Sequence, residues 1–336
     1  MTTLLAPLAV SLGDPAGVGP ELLCEAWARR DAERLPPFVA VGGGEILKAA
    51  AVRRGLDIAV ARVETPEEAV ERFPEALPVL GDHDGAYTPG EPDRAGAERA
   101  LASLSLAVGL ARQGAASGVV TGPVSKARLA EVGFDLPGQT EFVASACGVD
   151  ARDAVMLLAG PTLRTVPITV HNALADVPHL LTEDLIVRKG RIVASAMVRD
   201  FGIANPRLAF TGLNPHAGEG GRFGDEEIRV IEPAIATLRG EGIDASGPHP
   251  ADALFTPRAR ATYDVALCMY HDQALVPLKT LDFDEGVNMT LGLPLVRTSP
   301  DHGTAFAIAG TGVADPGATI AAIRLAGECA ARRAAS

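Results

Sequence analysis

The sequence predicts an α/β fold in which a mostly parallel sheet carries helices on both faces. Three observations support this prediction. β-Rich apolar runs alternate with helical segments along the whole chain. The 336 residues are 47% hydrophobic but only 4% aromatic, which suits a core packed from alanine, valine and leucine. The 36 glycines and 25 prolines supply the tight turns that such an alternation requires.

In the first half of the chain, apolar runs bounded by glycine or proline predict strands, and Ala/Leu-rich segments predict helices. Pro20 suits the first turn of a helix that runs to about Arg30. The turn at Gly122-Pro123 precedes Ser125, which opens a further helix whose N-terminus suits an anion. The predicted strands are 6–12, 37–43, 118–124 and 154–160, and a long helix is predicted over 92–113.

In the second half, three apolar runs predict strands over 163–170, 207–213 and 263–270. Thr182 is the predicted N-cap of the helix that follows the first of them. Further helices are predicted over 225–239 and from about Asp315-Pro316 onwards. Because no composition shift or Ser/Pro-rich linker marks a boundary, we predict one bilobed unit over 1–336, whose lobes are built from discontinuous segments.

Each of these three runs leads to a histidine, and the three residues are His171, His216 and His271. Since the carboxyl ends of strands line the ligand crevice in open α/β sheets, we expect the three side chains to converge. Three imidazoles with one open position form a common catalytic site for zinc and neighbouring divalent metals. The alternative for any one of them is a histidine held by an ordinary hydrogen bond. Their equivalent positions favour the metal site.

Residues 271–304 are unusually rich in polar groups. Lys279, Asn288 and Arg297 are separated by similar apolar spacers, so we expect their polar heads to converge on a phosphate or carboxylate. The alternative is that Lys279 and Arg297 are ordinary solvated charges. Thr140 follows the Pro137-Gly138 turn at a predicted helix start, where a threonine is more often an N-cap than a ligand.

Composition and missing motifs exclude several classes of protein. The net charge of −12 argues against a nucleic-acid partner. No apolar stretch approaches the length of a membrane span, and the N-terminus lacks the basic start of a signal peptide, so a cytoplasmic protein is expected. The four cysteines are scattered, as in a reducing compartment. No GxGxxG, phosphate-loop, GxSxG or HExxH motif lies in a suitable context.

Eight segments spread over nearly the whole chain form a specific pattern, and in chain order they are SLGDPAGVGPE, TGPVSK, PGQTEF, VHN, GLNPHAGEGGRFGDEE, GPHPADALF, YHDQALVPLK and NMTLGLPLVRTSPDHGTAFAIAGTG. In this order they closely resemble the 4-hydroxythreonine-4-phosphate dehydrogenase family of pyridoxal phosphate biosynthesis. Two segments, GDPAGVGPE and DHGTAFAIAGTGVADP, are also similar to the wider isocitrate and isopropylmalate dehydrogenase superfamily.

The resemblance implies a two-lobed α/β/α enzyme of the isocitrate dehydrogenase-like type, with its active site in the interlobe cleft at the interface of a homodimer. It implies metal-assisted oxidation at C3 of the phosphorylated hydroxythreonine by NAD or NADP, followed by decarboxylation. The ion would be Zn, Co, Ni, Mn or Mg, and its ligands need not come from one chain. The implied residues are His171, His216 and His271 for the metal; Gln139, Thr140, Lys279, Asn288 and Arg297 for substrate; His302, Gly303 and Thr304 for the dinucleotide; and Asp252 and Asp272 for acid/base or supporting roles.

One position departs from the family pattern, because Gln139 stands where the family usually has histidine. Glutamine donates and accepts hydrogen bonds, but it carries neither a proton nor a positive charge. This departure leaves open a related dehydrogenase acting on 4-phospho-erythronate or 4-phospho-threonate. An alternative of another class is a non-catalytic protein that binds a metal and a phosphorylated metabolite.

Overall fold

The computed structural model describes residues 5–335, in which strands and helices alternate as the sequence predicts. The one unit predicted over 1–336 includes residues 1–4 and Ser336, which lie outside the described residues. The described chain divides into two compact units, of which the first contains the residues up to Ala151 and Leu293–Ala335. The second unit is the intervening segment, Arg152–Gly292. None of the described helices is long and apolar enough to cross a membrane.

The strands of the described residues are short. In chain order they are β1 (Leu8–Ser11), β2 (Phe38–Val41), β3 (Val60–Val63), β4 (Leu77–Leu80), β5 (Gly118–Val120), β6 (Val155–Ala159), β7 (Arg164–Pro167), β8 (Arg207–Thr211), β9 (Asp244–His249), β10 (Val265–Cys268), β11 (Val287–Leu291) and β12 (Arg297–Pro300).

The helices are more variable in length. They are α1 (Gly19–Ala28), α2 (Gly44–Arg54), α3 (Pro66–Arg72), α4 (Arg94–Arg112), α5 (Lys126–Ala130), α6 (Gln139–Ala146), α7 (Val177–Leu180), α8 (Glu183–Arg199), α9 (Glu232–Gly240), α10 (Ala251–Leu254), α11 (Pro257–Arg260), α12 (His271–Leu281) and α13 (Gly317–Ala335).

In the first unit every strand pair is parallel, and the strand order is β3-β4-β2-β1-β5-β12. Buried apolar side chains on β1, β2 and β5 leave no polar face on these central strands, as expected for a sheet covered on both sides. α4 and α13 pack against this sheet. Parallel pairing places the carboxyl ends of β1 and β5 at the same edge.

Two glycines allow the loops after β1 and β5 to touch. Gly13 has a φ of +73°, and a Cβ there would lie 2.7 Å from the carbonyl oxygen of Pro123. A Cβ on Gly122 would lie 2.6 Å from the carbonyl oxygen of Ser11. The Asp14 N–H donates to the Pro123 carbonyl at 2.9 Å. The predicted GDPAG and TGPVSK loops are therefore packed directly against each other.

In the second unit the strand order is β11-β6-β7-β10-β8-β9. β6 runs antiparallel to both β11 and β7, whereas β7, β10, β8 and β9 are parallel. The prediction of a mostly parallel sheet holds for this group of four. Because β7, β10 and β8 are adjacent, the three segments that carry the histidines leave the sheet side by side.

Helix starts follow the predicted capping chemistry in part. Thr182 caps α8, since its hydroxyl accepts a hydrogen bond from the Leu185 N–H. Thr140 does not cap α6; Gly138 holds the N-cap position and Thr140 lies inside the first turn. The helix predicted over 225–239 begins instead with a π-helical turn over Glu227–Ile231 that leads into α9.

Candidate active site

The three histidines each follow the carboxyl end of a strand, as the sequence predicts, and these strands are adjacent and parallel. His171 lies beyond the end of β7, His216 beyond β8, and His271 opens α12 directly after β10. The rings of His171 and His271 are neighbours, with centroids 5.6 Å apart. Both line a cavity of about 280 Å³ together with Asn172, Tyr270 and other residues of the two segments. The structure therefore brings two of the three predicted ligands to one cavity.

His216 lies on a separate, tightly turned segment. The backbone at His216 and Ala217 is left-handed, with φ values of 54° and 51°. The His216 Nδ1 lies 3.5 Å from a carboxylate oxygen of Glu219, and its ring packs edge-on against Phe223. Within residues 5–335, no three His, Cys, Asp or Glu side chains are grouped so that they could hold a metal ion. The metal role of the three histidines stays a prediction.

Buried polar side chains fix the segment that carries His171. Lys189 of α8 is only 7% exposed, and its ammonium group donates to the carbonyls of Pro167 at 3.4 Å and Ile168 at 2.8 Å. The Thr169 hydroxyl donates to the Met269 carbonyl at 2.8 Å. Desolvation lowers the pKa of Lys189 to about 8. The chain leaving β7 is thus held from one side by a buried lysine and from the other by the β10 segment.

Gln273 ties the His271 segment to the His216 segment. Its amide oxygen accepts from the Met269 N–H at 2.7 Å and from the Thr211 hydroxyl at 2.6 Å, and its amide nitrogen donates to the Gly212 carbonyl at 2.8 Å. These three partners belong to the ends of β10 and β8. With Thr169, Gln273 completes a chain of hydrogen bonds across all three strand ends.

Glu227 holds the turn that precedes His216. The side chain is 1% exposed, and one carboxylate oxygen accepts from the backbone N–H groups of Leu213 and Asn214 at 2.8 and 2.7 Å. The other oxygen accepts from the Asn214 side-chain amide at 3.0 Å. Sequence reasoning missed Glu227, Gln273 and Lys189. The only signals were their positions inside the GDEE and YHDQ segments and a lone lysine among the apolar positions of α8.

The two predicted acid/base residues occupy different places: Asp272 contacts His271, and Asp252 lies on α10. The Asp272 carboxylate accepts a hydrogen bond from the His271 Nδ1 at 2.7 Å, which leaves the lone pair of a neutral His271 on Nε2. A carboxylate in this position is the usual partner of a metal-binding histidine, so the donor chemistry fits a divalent ion. Asp252 is exposed on α10, a helix that packs against the His216 turn.

In the first unit, Arg297 is the centre of a second polar cluster. The side chain is 3% exposed. Its Nη2 donates to the Thr121 hydroxyl at 2.7 Å and to the Gln139 amide oxygen at 3.2 Å, and its Nη1 donates to the Thr140 hydroxyl at 3.5 Å. Burial lowers the pKa of Arg297 to about 10, while the Glu141 carboxylate acts to raise it. The guanidinium therefore remains charged at neutral pH. Thr121 was not among the predicted site residues.

The other predicted substrate residues lie in the second unit. Lys279 is on α12 and Asn288 is on β11, both partly exposed. The side-chain oxygen of Asn288 is buried and accepts no hydrogen bond from any described residue. An acceptor in this state suits a bound group that carries N–H or O–H.

The loop predicted to bind the dinucleotide lies against the start of α1. The Thr304 carbonyl accepts from the Val18 N–H at 3.0 Å, and a Cβ on Gly17 would lie 2.8 Å from that carbonyl. The His302 Nδ1 donates to the Gly303 carbonyl at 3.0 Å, so the neutral ring has its acceptor at Nε2. That Nε2 is buried without a partner among the described residues, which fits a hydrogen-bonding group of a cofactor.

Comparison with known proteins gives a consistent result over nearly the whole chain. The family model described as pyridoxal phosphate biosynthetic protein PdxA matches residues 34–326. The 4-hydroxythreonine-4-phosphate dehydrogenase of Erythrobacter litoralis is 62% identical over 98% of this chain and 98% of its own. The protein of the same name from Zymomonas mobilis is 54% identical over 98% and 97%.

A solved structure is similar over the same extent. The crystal structure of 4-hydroxythreonine-4-phosphate dehydrogenase from Klebsiella pneumoniae superposes with a TM-score of 0.87 and 35% identity, and the match covers 98% of this chain and 99% of that one.

Lys189→Met should destabilise the fold by about 1–3 kcal/mol, because it leaves two buried carbonyls without their donor. Between the folded pKa of about 8 and the unfolded value of 10.5, the unfolded chain binds a proton that the folded chain does not. The free energy of unfolding of the wild type should therefore rise with pH across this window relative to Lys189→Met. Urea denaturation at pH 7.5, 8.5 and 9.5 measures both effects.

The matched control for this experiment is Lys48→Met, since Lys48 is an exposed lysine on α2. The free energy of unfolding of this control should differ from that of the wild type by a small amount that does not change with pH. If the free energy of unfolding of Lys189→Met also differs from the wild type by an amount that does not change with pH, the lowered pKa of Lys189 is contradicted.

Proposed function

The chain belongs to the family of pyridoxal phosphate biosynthetic protein PdxA, and on this premise we propose that it is an NAD-dependent 4-hydroxythreonine-4-phosphate dehydrogenase of the cytoplasm. The observation that carries the proposal is the set of three histidines at the ends of β7, β10 and β8. An oxidation followed by decarboxylation requires electrophilic stabilisation of a substrate oxygen, which a divalent ion bound by these imidazoles would supply.

In the proposed reaction, the C3 hydroxyl of 4-phosphohydroxy-L-threonine loses its proton and C3 transfers hydride to NAD. The bond between C2 and the carboxylate of the resulting 3-keto acid then breaks, carbon dioxide leaves, and C2 takes up a proton to give 3-amino-2-oxopropyl phosphate. Two electrons pass from substrate to NAD, and the decarboxylation changes no oxidation state of the cofactor. NADP would serve equally in this chemistry.

Arg297 and Thr140 are the proposed contacts for an anionic group of the substrate. A buried guanidinium favours phosphate or carboxylate, since it presents several N–H donors in one plane. Lys279 is a further proposed contact for an anionic group, and the buried oxygen of Asn288 suits the substrate amine or a hydroxyl. Contacts of these kinds fix the orientation of a bound substrate, and such positioning lowers the barrier of hydride transfer.

His171, His216 and His271 are the proposed ligands of a divalent ion, for which Zn, Co, Ni, Mn or Mg are candidates. Such an ion supplies Lewis-acid stabilisation of negative charge on the substrate. Asp272 keeps the Nδ1 proton of His271 in place, so that Nε2 is free to act as a donor atom. Asp252 is a further candidate for proton transfer because its carboxylate is exposed beside the His216 turn.

The His302-Gly303-Thr304 loop is the proposed site for the adenosine half of the cofactor. The buried Nε2 of His302 is an acceptor in the neutral ring, so it suits an amino group such as that of adenine. The cofactor supplies the hydride acceptor, and this loop would supply its orientation.

The test of the proposal is NADH formation by metal-reconstituted protein, followed at 340 nm, with 4-phosphohydroxy-L-threonine and 4-phospho-D-erythronate compared at equal concentrations. We expect turnover of the amino acid with a higher kcat/KM. A higher kcat/KM for the erythronate would make 4-phospho-D-erythronate the substrate and would associate Gln139 with that specificity. If neither substrate gives NADH, the alternative of a non-catalytic binding protein is favoured.

Asp272→Ala should weaken divalent metal binding about 10- to 100-fold, because the acceptor that orients His271 is lost. Zinc titration of the metal-free protein by calorimetry measures the dissociation constant without reference to turnover. Asp272→Asn keeps an acceptor oxygen, so its zinc affinity should fall less than that of Asp272→Ala. Asp284→Ala, an exposed position beyond the end of α12, is the control and should bind zinc as the wild type does. Equal zinc affinity in Asp272→Ala would remove Asp272 from this role.

We further propose a homodimer that covers the outer face of α12. This helix begins at His271 and leaves Val276 61% exposed, and Phe283 beyond its end is 72% exposed. A second copy placed here would remove apolar surface from water close to a proposed metal ligand. The metal ligands then need not all come from one chain.

Val276→Asp combined with Phe283→Asp should convert the dimer to a monomer, because two charges would have to be buried in the interface. Sedimentation velocity measures the change. Val52→Asp, which alters an even more exposed valine on α2, should leave the dimer intact. An unchanged dimer in the double variant would place the interface elsewhere.

A further inference from the structure

The Gln139 side chain is fixed by hydrogen bonds at both ends of its amide. Its oxygen accepts from Arg297 Nη2 at 3.2 Å and from the Thr121 hydroxyl at 3.1 Å. Its nitrogen donates to the Gly122 carbonyl at 3.0 Å. The Thr121 hydroxyl accepts a hydrogen bond from Arg297 Nη2 and donates one to the Gln139 amide oxygen. The four groups form one connected network around a buried guanidinium.

The chemistry of the partners determines the orientation of this amide. Arginine only donates hydrogen bonds, and a carbonyl only accepts them. A flipped amide would place N–H against N–H at Arg297 and oxygen against oxygen at Gly122. The side chain of residue 139 must therefore offer a hydrogen-bond acceptor to Arg297 and a hydrogen-bond donor to the Gly122 carbonyl.

A neutral imidazole meets the same two requirements, because one ring nitrogen accepts and the other donates. A protonated imidazole does not, since both nitrogens then donate and its positive charge faces that of Arg297. Glutamine has the hydrogen-bonding pattern of the neutral ring and never binds a proton. The difference between the two residues at this position is therefore a difference in pH response.

We propose that Gln139 is a positioning residue that holds Arg297 through a permanently neutral acceptor, so that anion binding at Arg297 does not depend on a titration at position 139. Gln139 then acts through the guanidinium, in addition to any contact of its own with substrate. This inference rests on the proposed role of Arg297 in binding an anionic group, and it adds the residue that fixes the geometry and the charge of that contact.

Other titratable groups surround the network and remain the same in every variant. Glu141 of α6 attracts Arg297. The Lys126 ammonium at the start of α5 lies 3.6 Å from the position of a Cβ on Gly138. Asp14, 2% exposed, lies in the loop after β1, where its N–H donates to the Pro123 carbonyl next to Gly122, and burial raises the pKa of its carboxyl group. Any pH effect that these groups produce cancels in the ratio of variant to wild type.

The experiment compares Gln139→His with the wild type from pH 8 to pH 5, using inorganic phosphate as the probe. The phosphate dissociation constant is obtained from the shift of Tm with phosphate concentration. We expect the phosphate dissociation constant of the variant, divided by that of the wild type, to be near one at pH 8 and to increase as the pH falls. The ratio should reach about tenfold one unit below the pKa of the new imidazole, which the adjacent Arg297 charge lowers from its ordinary value of about 6.5 and which an NMR titration of the variant measures. Gln113→His, at the exposed end of α4, is the control and should keep a ratio of one.

A second variant tests the same idea without a new titration in this range. Gln139→Glu keeps the shape of the side chain and places a carboxylate beside Arg297, so phosphate binding should weaken at least about tenfold at every pH from 6 to 8, as expected when one buried charge is neutralised by another. A Gln139→His ratio of dissociation constants that stays constant over the pH range in which NMR shows the new imidazole binding its proton overturns the proposal. So does a ratio that decreases with falling pH, which would mean that residue 139 contacts the anion directly.

The phosphate experiment separates this inference from the proposed function. Failure of the wild type to oxidise 4-phosphohydroxy-L-threonine rejects the proposed substrate, while the phosphate titration still measures the Gln139–Arg297 coupling. A wild type that turns over substrate but shows no phosphate-induced shift of Tm removes Arg297 as the anion contact and overturns the inference. In the active enzyme, the KM of Gln139→His should rise at low pH more than kcat falls.

Discussion

The hydrogen bonds that join the ends of β7, β10 and β8 are the constraint on which the candidate active site depends. Each histidine lies beyond the sheet, where the backbone has no strand partner, so its position would otherwise be set only by loop conformation. Thr169, Gln273 and Glu227 supply the missing partners, and Lys189 satisfies two further carbonyls. All four side chains are buried, so their bonds are shielded from competing water.

The two units carry different kinds of chemistry. The second unit presents imidazoles and carboxylates on strand ends, which suit a divalent ion. The first unit presents a buried guanidinium held by the neutral oxygens of Thr121, Gln139 and Thr140. These neutral oxygens orient the guanidinium, and the nearby Glu141 carboxylate attracts it. A buried guanidinium oriented in this way suits the anion contact that we propose for Arg297.

Much of the fold followed from local patterns. Local sequence patterns predict the features that depend on neighbouring residues. These are the GDPAG and TGPVSK loops, the Thr182 cap and the strands that precede the histidines. β9 was missed because its sequence, DASGPH, is polar and contains proline. The π-helical turn before α9 was missed as well, since its residues fit an α-helix by spacing. The antiparallel direction of β6 depends on its distant partner β11 and has no local signal.

The sequence by itself determined the α/β class, the family resemblance and the placement of three histidines after three strands, because these are properties of short contiguous segments. Only the tertiary structure decided that β7, β10 and β8 are neighbours, that Lys189 and Gln273 hold their ends, and that Gln139 contacts Arg297. Those contacts join residues far apart in the chain. Their identity depends on strand order and on which buried polar atoms still need a partner, and both are set only when the sheet has assembled.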